Sequence, residues 1–362
     1  MVEFRDRDAP VTKEGIIFRT YGYTHPLNAC FCDVEYAPAS IYTTSDPRAL
    51  RYLYRHPSDG TGVGQRYYKF YFDGGLQFIK KNYPEYQIFH KALKNSLVGI
   101  ASPVHVRRPD EKLRAILENP PANKLIDTLL EILETIVDHS QLKFHQFGIF
   151  GSILHNFYHI DYSDIDLIIY GRKALEELRE TLADFYRQSS SPIQNEFAGW
   201  NYRQSAKHWH FKHYTLQEYP FYEFRKMIYA VIQSQKNIRP VKIEFEPVKN
   251  WGEIKNEYSD LEQIERKGWI KAIAEVIDDR DAFYMESVYK VELLDILEGT
   301  NVEDVNRILS FVEEFRGQVQ CDETIVVEGN LEKVTLPNKT FHQITLSYGP
   351  HYYDQTLKIY KK

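Results

Sequence analysis

Two segments near the middle of the chain repeat apolar residues every three or four positions, the period of a helix that buries one face. They cover residues 124–139 and 173–186. The repeated positions are Leu125, Leu129, Ile132 and Ile136 in the first segment and Leu175, Leu178 and Leu182 in the second. We predict that both segments are helices packed against a sheet.

Short apolar and β-branched runs predict the strands of that sheet. The runs cover residues 147–150, 163–170 and 241–247. Gly151-Ser152 follows the first run as a turn, and a short helix is predicted over residues 153–157. This order of elements predicts a central α/β domain with a mixed sheet, which we assign to residues 119–258.

The flanking parts of the chain predict two further domains, so the expected fold class is α+β and multidomain. Residues 1–118 alternate short aromatic runs with turn residues, as in an α+β domain, and Asn119-Pro120-Pro121 marks its end. Residues 259–362 are predicted to begin with a helix over 259–278. They are then predicted to form a small antiparallel β-barrel or sandwich.

Composition restricts the setting in which the protein acts. The formal net charge of −6 argues against a generally basic nucleic-acid coat. Cys30, Cys32 and Cys321 have the spacing of neither a disulfide framework nor a zinc ribbon. No apolar run reaches the length of a membrane span, and the first residues lack signal-peptide character. We therefore expect a cytoplasmic protein without a membrane partner, whose oligomeric state the composition leaves open.

A pair of carboxylates is the strongest chemical signal in the chain. Side chains alternate along a strand, so Asp164 and Asp166 point to the same face. Their mutual repulsion is removed by a divalent cation, and Mg²⁺ binds through one or two carboxylates plus substrate phosphates. Upstream, Gly151 lets the backbone approach a phosphate. Ser152 offers a hydroxyl at a helix start, where free N–H groups favour an anion.

These residues resemble the signature of the DNA polymerase β-like nucleotidyltransferase superfamily. The resemblance rests on Gly151-Ser152, a ten-residue spacer and the motif at residues 163–167, Ser-Asp-Ile-Asp-Leu. Within that superfamily the chain resembles archaeal predicted nucleotidyltransferases of undefined substrate. The resemblance implies transfer of a nucleoside monophosphate from an NTP to an acceptor, with two Mg²⁺ ions, or Mn²⁺ in their place. It also adds Ser163 to Gly151 and Ser152 as a nucleotide-binding residue.

The same resemblance implies a third carboxylate on a neighbouring strand. In archaeal CCA-adding enzymes this acid is followed by two residues and a proline, and Glu244-Phe245-Glu246-Pro247 is similar to that arrangement. Glu244 is therefore the predicted third catalytic and metal-binding residue beside Asp164 and Asp166, with Glu246 as the reserve. The spacer at residues 154–162 departs from the common pattern because it is bulkier and less rich in glycine.

Residues 199–242 mix basic and aromatic side chains. Cations bind phosphates and rings stack on bases, so this segment suits a triphosphate or single-stranded RNA, and Arg203 and Lys207 are predicted nucleotide-binding residues. An amphipathic hairpin and helix whose rings belong to the core is the alternative interpretation. Two other functions stay open: a nucleotide- or RNA-binding protein without turnover, and an antitoxin-type transferase that modifies a protein.

Overall fold

The computed structural model describes residues 3–50, 66–71, 73–200, 209–234, 237 and 239–361. Within them lie α-helices, antiparallel sheets and mixed sheets, which confirms the α+β class predicted from the sequence. Arg203 and Lys207 lie outside the described residues.

The N-terminal part of the chain is built on a sheet of short strands. The strands are β1 (Ala9–Val11), β2 (Ile17–Thr20), β3 (Cys30–Pro38), β4 (Tyr67–Lys69), β5 (Gln87–His90), β6 (Asn95–Ile100) and β7 (His105–Arg107). Their order is β5-β6-β3-β2-β1-β7, with β4 beside β3, and the described pairs are antiparallel. The helices here are α1 (Pro47–Leu50), α2 (Gly74–Asn82) and α3 (Pro109–Glu118).

The central part contains the predicted helices and strands. Its elements are α4 (Lys124–Asp138), β8 (Phe147–Ile149), α5 (Gly151–Leu154), β9 (Ile165–Tyr170), α6 (Arg172–Arg187), β10 (Ile193–Asn195), α7 (Glu218–Lys226), β11 (Tyr229–Ile232) and β12 (Val241–Val248). The strand order is β10-β11-β12-β9-β8, and β9 and β12 run parallel while the other neighbours are antiparallel. The mixed sheet is thus confirmed. Helix α5 begins at Gly151 and ends at Leu154, earlier than predicted.

The two faces of this sheet are covered by different parts of the chain. On one face, Ile165 and Leu167 of β9 and Phe245 of β12 pack with the leucines and isoleucines of α4 and α6, as their spacing predicted. On the other face, Ile168 of β9 packs with Val11 of the N-terminal sheet. The N-terminal sheet therefore covers part of this second face, which also carries Asp166 and Glu244.

The C-terminal part is a second large sheet. Its strands are β13 (Gln263–Asp281), β14 (Ser287–Glu298), β15 (Val305–Ser310), β16 (Thr324–Leu336), β17 (Lys339–Leu346) and β18 (Thr356–Ile359). Pairings run from β13 through β14, β15, β17 and β16, and β16 pairs again with β13. Single turns of 3-10 helix lie at Pro84–Tyr86, Phe144–Gln146, Trp251–Glu253, Glu313–Phe315 and Tyr352–Asp354.

Two features of this part correct the sequence predictions. The helix expected over residues 259–278 is wrong, because β13 occupies nearly all of that segment. Its fully buried positions Ile270, Ala272, Ala274 and Val276 recur every second residue, which is the period of a strand. The expectation of a purely antiparallel sheet is also wrong, since β15 and β17 pair in parallel.

Candidate functional site

Asp166 and Glu244 lie opposite each other in the parallel pair formed by β9 and β12. The same register places Ile165 opposite Ile243 and Leu167 opposite Phe245, and these four apolar side chains enter the helix-covered core. Alternation along both strands then directs the two carboxylates together to the opposite face. The structure thus brings together one member of the predicted Asp pair and the predicted third carboxylate.

Gly151 lies directly against Asp166. Its φ is +60°, and a Cβ atom at this position would lie 1.9 Å from Oδ2 of Asp166. The amide of Phe150 donates to the carbonyl oxygen of Asp166 at 2.8 Å, which fixes the turn beside the strand. A side chain at position 151 would therefore collide with the carboxylate. Ser152 follows at a partly buried position in the four-residue helix α5.

Asp164 and Ser163 immediately precede β9. Nη1 of Arg239 lies 3.5 Å from Oδ1 of Asp164, and the same guanidinium donates to the carbonyl oxygens of Asp161 and Ser163 at 2.7 and 2.9 Å. Burial raises the pKa of Asp164, and Arg239 opposes that shift. The hydroxyl of Ser163 accepts from the amide of His159 at 2.8 Å, so in this structure it holds the spacer loop.

Glu246 is enclosed by two arginines from distant parts of the chain. Nη2 of Arg7 lies 2.8 Å from its Oε2, and Arg316 donates to the same oxygen. All three side chains are buried. Burial opposes ionisation of Glu246, but Arg316 and Arg7 outweigh it and hold its pKa well below the usual range. The N- and C-terminal parts of the chain thus cover Glu246, the reserve candidate for the third carboxylate.

Glu244 differs from Glu246 in both exposure and charge. Its side chain retains 37% of its accessible surface, against 11% for Glu246. Nη2 of Arg316 donates to Oε1 of Glu244 at 3.1 Å. Burial and the charge of Glu246 raise the pKa of Glu244, with Arg316 acting in the opposite sense. Glu244 thus shares one arginine with Glu246 and remains the more accessible of the two.

Asp166 is a carboxylate whose surroundings disfavour its ionised form. Burial and the charge of Glu246 raise its pKa to about 7, against the opposing effect of Lys69. Among the described residues, no three His, Cys, Asp or Glu side chains are grouped so that they could hold a metal by themselves. Mg²⁺ commonly needs only one or two carboxylates with the remaining ligands from water and substrate phosphates. The donor set of Asp164, Asp166 and Glu244 fits that mode of binding.

A cleft of about 340 Å³ opens over these carboxylates. Asp164, Asp166 and Glu244 line it from the central sheet, whereas Arg316 and Tyr348 line it from the C-terminal part. The C-terminal part therefore contributes a wall to the cleft that contains the predicted catalytic residues.

Several aromatic and basic side chains in the described part of residues 199–242 belong to the protein interior. Trp209 and Phe211 are buried among the apolar side chains of the C-terminal sheet, so the prediction that they stack on bases is wrong. Lys226 is fully buried and donates to Glu223 at 2.7 Å. Nη2 of Arg225 likewise forms an ion pair with Oε1 of Glu323 at 2.5 Å. Within this described part, the aromatic and basic residues form internal contacts, as the alternative interpretation proposed.

Sequence reasoning missed Arg7 and Arg316, because each lies far from the carboxylate motif along the chain. One local signal existed for Arg7. It belongs to the alternating run of charges at residues 5–8, Arg-Asp-Arg-Asp, immediately before the apolar strand β1. All four side chains are buried, and such a run in a buried position requires partners of opposite charge elsewhere.

Comparison with known proteins shows that the chain is similar to an archaeal protein. The chain is 25% identical over 346 residues to an uncharacterized protein, MJ1086, of Methanocaldococcus jannaschii, and the match covers 92% of each chain. No family profile matches the chain, and no solved structure matches it significantly. In the described part of the chain, none of the helices has the length and apolar character needed to cross a membrane.

Proposed function

We propose that this chain is a divalent-metal-dependent nucleotidyltransferase with a polymerase β-like central domain and a small C-terminal β-barrel. The observation that carries the proposal is the placement of Glu244 opposite Asp166, with the backbone of Gly151 against Asp166. The circuit of strand pairings from β13 back to β13 supports the barrel. The motif at residues 163–167 and its distance from Gly151-Ser152 support the superfamily assignment.

In the proposed reaction, an acceptor hydroxyl oxygen forms a bond to the α-phosphorus of an NTP, and the bond from that phosphorus to the β-phosphate oxygen breaks. Pyrophosphate leaves, and the hydroxyl proton passes to solvent. Asp164, Asp166 and Glu244 are the residues that would hold Mg²⁺ or Mn²⁺. The bound metal would neutralise the triphosphate and lower the pKa of the acceptor hydroxyl. The hydroxyl of Ser152 would donate to a phosphate oxygen next to the backbone of Gly151.

A specific observation favours a second candidate, a nucleotide- or RNA-binding protein without turnover. Arg316 donates to Glu244, and Arg239 lies beside Asp164, so two guanidinium groups stand where a metal would neutralise charge. If these contacts persist in the presence of substrate, the carboxylates are not available as ligands. Asp166 favours the catalytic candidate instead, because burial and the charge of Glu246 raise its pKa against the opposing effect of Lys69, and a divalent cation would stabilise its ionised form.

The test is transfer of label from each α-labelled NTP in the presence of Mg²⁺, total cellular RNA and total cellular protein. The catalytic candidate predicts label on one macromolecular fraction with the wild-type chain and none with Asp166→Asn. A matched control is Asp184→Asn, which changes an exposed carboxylate on α6. Label on protein alone would identify the antitoxin-type activity. Binding of NTP or of RNA without label in any fraction would support the non-catalytic candidate, and absence of both kinds of binding would overturn both candidates.

A further inference from the structure

Tyr348 lies where two cavities of the molecule meet. A groove of about 2380 Å³ is lined by the N-terminal sheet and the C-terminal sheet. Tyr348 and Glu314 line both this groove and the cleft that contains Asp166 and Glu244. A molecule that reaches the carboxylates through the groove therefore passes the ring of Tyr348.

The ring of Tyr348 is supported from behind by Tyr352. The two ring centroids are 4.9 Å apart and the ring planes are inclined by only 8°. The hydroxyl of Tyr352 donates to Oε2 of Glu314 at 2.7 Å, and its ring also packs on Phe211 at 5.3 Å. Tyr352 is thus fixed by both polar and apolar contacts. Tyr348 nevertheless keeps 55% of its surface exposed.

An exposed ring held parallel to a second ring is suited to a third flat group. Offset stacking is a favoured arrangement of aromatic rings, and a base stacked on an aromatic side chain binds without regard to its identity. Among the described residues that line the groove, lysines and arginines together equal aspartates and glutamates in number. This balance does not favour the long phosphate backbone of a duplex, whose binding depends on excess positive charge. It favours a ligand recognised through one or a few unpaired bases.

We propose that Tyr348, backed by Tyr352, is a stacking platform for an unpaired nucleobase at the entrance to the carboxylate cleft. The proposal rests on the proposed nucleotidyltransferase function and adds the chemical class of the group that is bound there. Two sources share this chemistry, the base of the NTP and the terminal base of a single-stranded acceptor. Binding measurements with each source separate them.

The experiment compares wild type, Tyr348→Leu and Tyr348→Phe by titration with each NTP and with a short single-stranded oligoribonucleotide that carries 2-aminopurine at its 3′ end. Stacking quenches 2-aminopurine, so loss of quenching reports loss of the platform itself. Tyr348→Leu is expected to raise Kd by about tenfold or more, and Tyr348→Phe, which keeps the ring, is expected to restore binding. The matched control is Phe89→Leu, because Phe89 is 60% exposed and lines neither cavity.

Each outcome has a defined meaning. Weakened oligonucleotide binding assigns the platform to the acceptor, and weakened NTP binding assigns it to the NTP; both support it. Unchanged Kd and quenching in Tyr348→Leu would overturn the platform, even if label transfer continues. Stacking without label transfer by wild type would overturn the proposed catalysis and leave the platform standing. If Tyr348→Leu fails to fold, weak wild-type quenching of 2-aminopurine would overturn the platform, and strong quenching retained in Tyr348→Phe would support it.

Discussion

Nη2 of Arg7 lies 2.8 Å from Oε2 of Glu246, although the two residues are 239 positions apart in the chain. Arg316 donates to the same oxygen from the C-terminal part. A carboxylate that is buried between two guanidinium groups is already neutralised and has little affinity left for a metal. The two glutamates of β12 therefore have different roles. Glu246 connects the N-terminal and C-terminal parts of the chain to the central sheet, whereas Glu244 lines the cleft.

This difference predicts opposite behaviour of two matched substitutions. Glu244→Gln should lower label transfer by about 100-fold or more, since it removes the charge of a proposed metal ligand. Its thermal stability should change little. Glu246→Gln should lower the free energy of unfolding by about 3 kcal/mol, because two buried arginines lose their shared partner. Differential scanning calorimetry and the transfer assay on both variants check the prediction.

The result that contradicts this assignment is a reversal of the two phenotypes. If Glu246→Gln folds normally and loses transfer, Glu246 would be the third carboxylate and Glu244 the structural one. Harmless behaviour of both variants would move the third ligand away from β12.

Asp166→Asn should abolish transfer without loss of the fold. The substitution removes a buried charge that Glu246 repels, so stability at pH 8 should equal or exceed that of wild type. Transfer should fall by about 100-fold or more, because the amide is a far weaker ligand for Mg²⁺. Urea unfolding at pH 8, with and without Mg²⁺, tests the first part. A substantially destabilised variant would indicate that Asp166 is a structural residue.

Gly151→Ala should damage the site through geometry alone. The left-handed backbone at Gly151 costs an alanine at least about 1 kcal/mol, and the added methyl group collides with the carboxylate of Asp166. Gly199→Ala is the matched control, since Gly199 has φ +77° and no atom of the described residues lies within 4 Å of the added Cβ. Only Gly151→Ala should lose transfer, while both lose some stability. Equal activity in the two variants would contradict close packing of Gly151 on Asp166.

His25 makes the stability of the N-terminal part sensitive to acid. Burial lowers its pKa to about 4, with the carbonyl of Gly22 opposing the shift. Between about pH 6.5 and pH 4 the unfolded chain therefore binds a proton that the folded chain does not, and stability is lost as pH falls through this window. The free energy of unfolding falls by at most roughly 3 kcal/mol across this window.

His25→Gln should reduce the dependence of the free energy of unfolding on pH. Chemical unfolding at pH 7 and pH 5 measures this dependence. Exposed His145 provides the control, because His145→Gln should leave the wild-type dependence unchanged. A wild-type dependence retained in full by His25→Gln would show that another group titrates.

The elements and residues that depend on local pattern were predictable from the sequence. The leucines and isoleucines of α4 and α6 recur at helical spacing, and the core residues of β9 and β12 alternate with their carboxylates, so the sheet and the face shared by Asp166 and Glu244 follow directly. The sequence predicts a helix where strand β13 lies, although Ile270 and Ala272 have strand periodicity. Its high content of Glu, Lys and Ala suits a helix, and the long-range pairing with β16 overrides this propensity.

The parts of the site that depend on distant contacts could not be predicted. Arg7 and Arg316 share no local sequence pattern with Glu246. These residues come together only because three parts of the chain pack against each other. The burial of Trp209 and Phe211 likewise depends on the C-terminal sheet, which lies later in the chain. Composition alone made these rings equally compatible with base stacking and with a core.

The paired arginines of Glu246 also set an order of events during synthesis on the ribosome. Arg7 is added before Glu246, but Arg316 is added 70 residues after it. At typical rates of translation this interval lasts roughly 4 to 14 s, during which the nascent chain can supply only one of the two cations. The central sheet therefore reaches its final charge balance only after Arg316 has been added, and the cleft beside Glu244 is completed at that later stage.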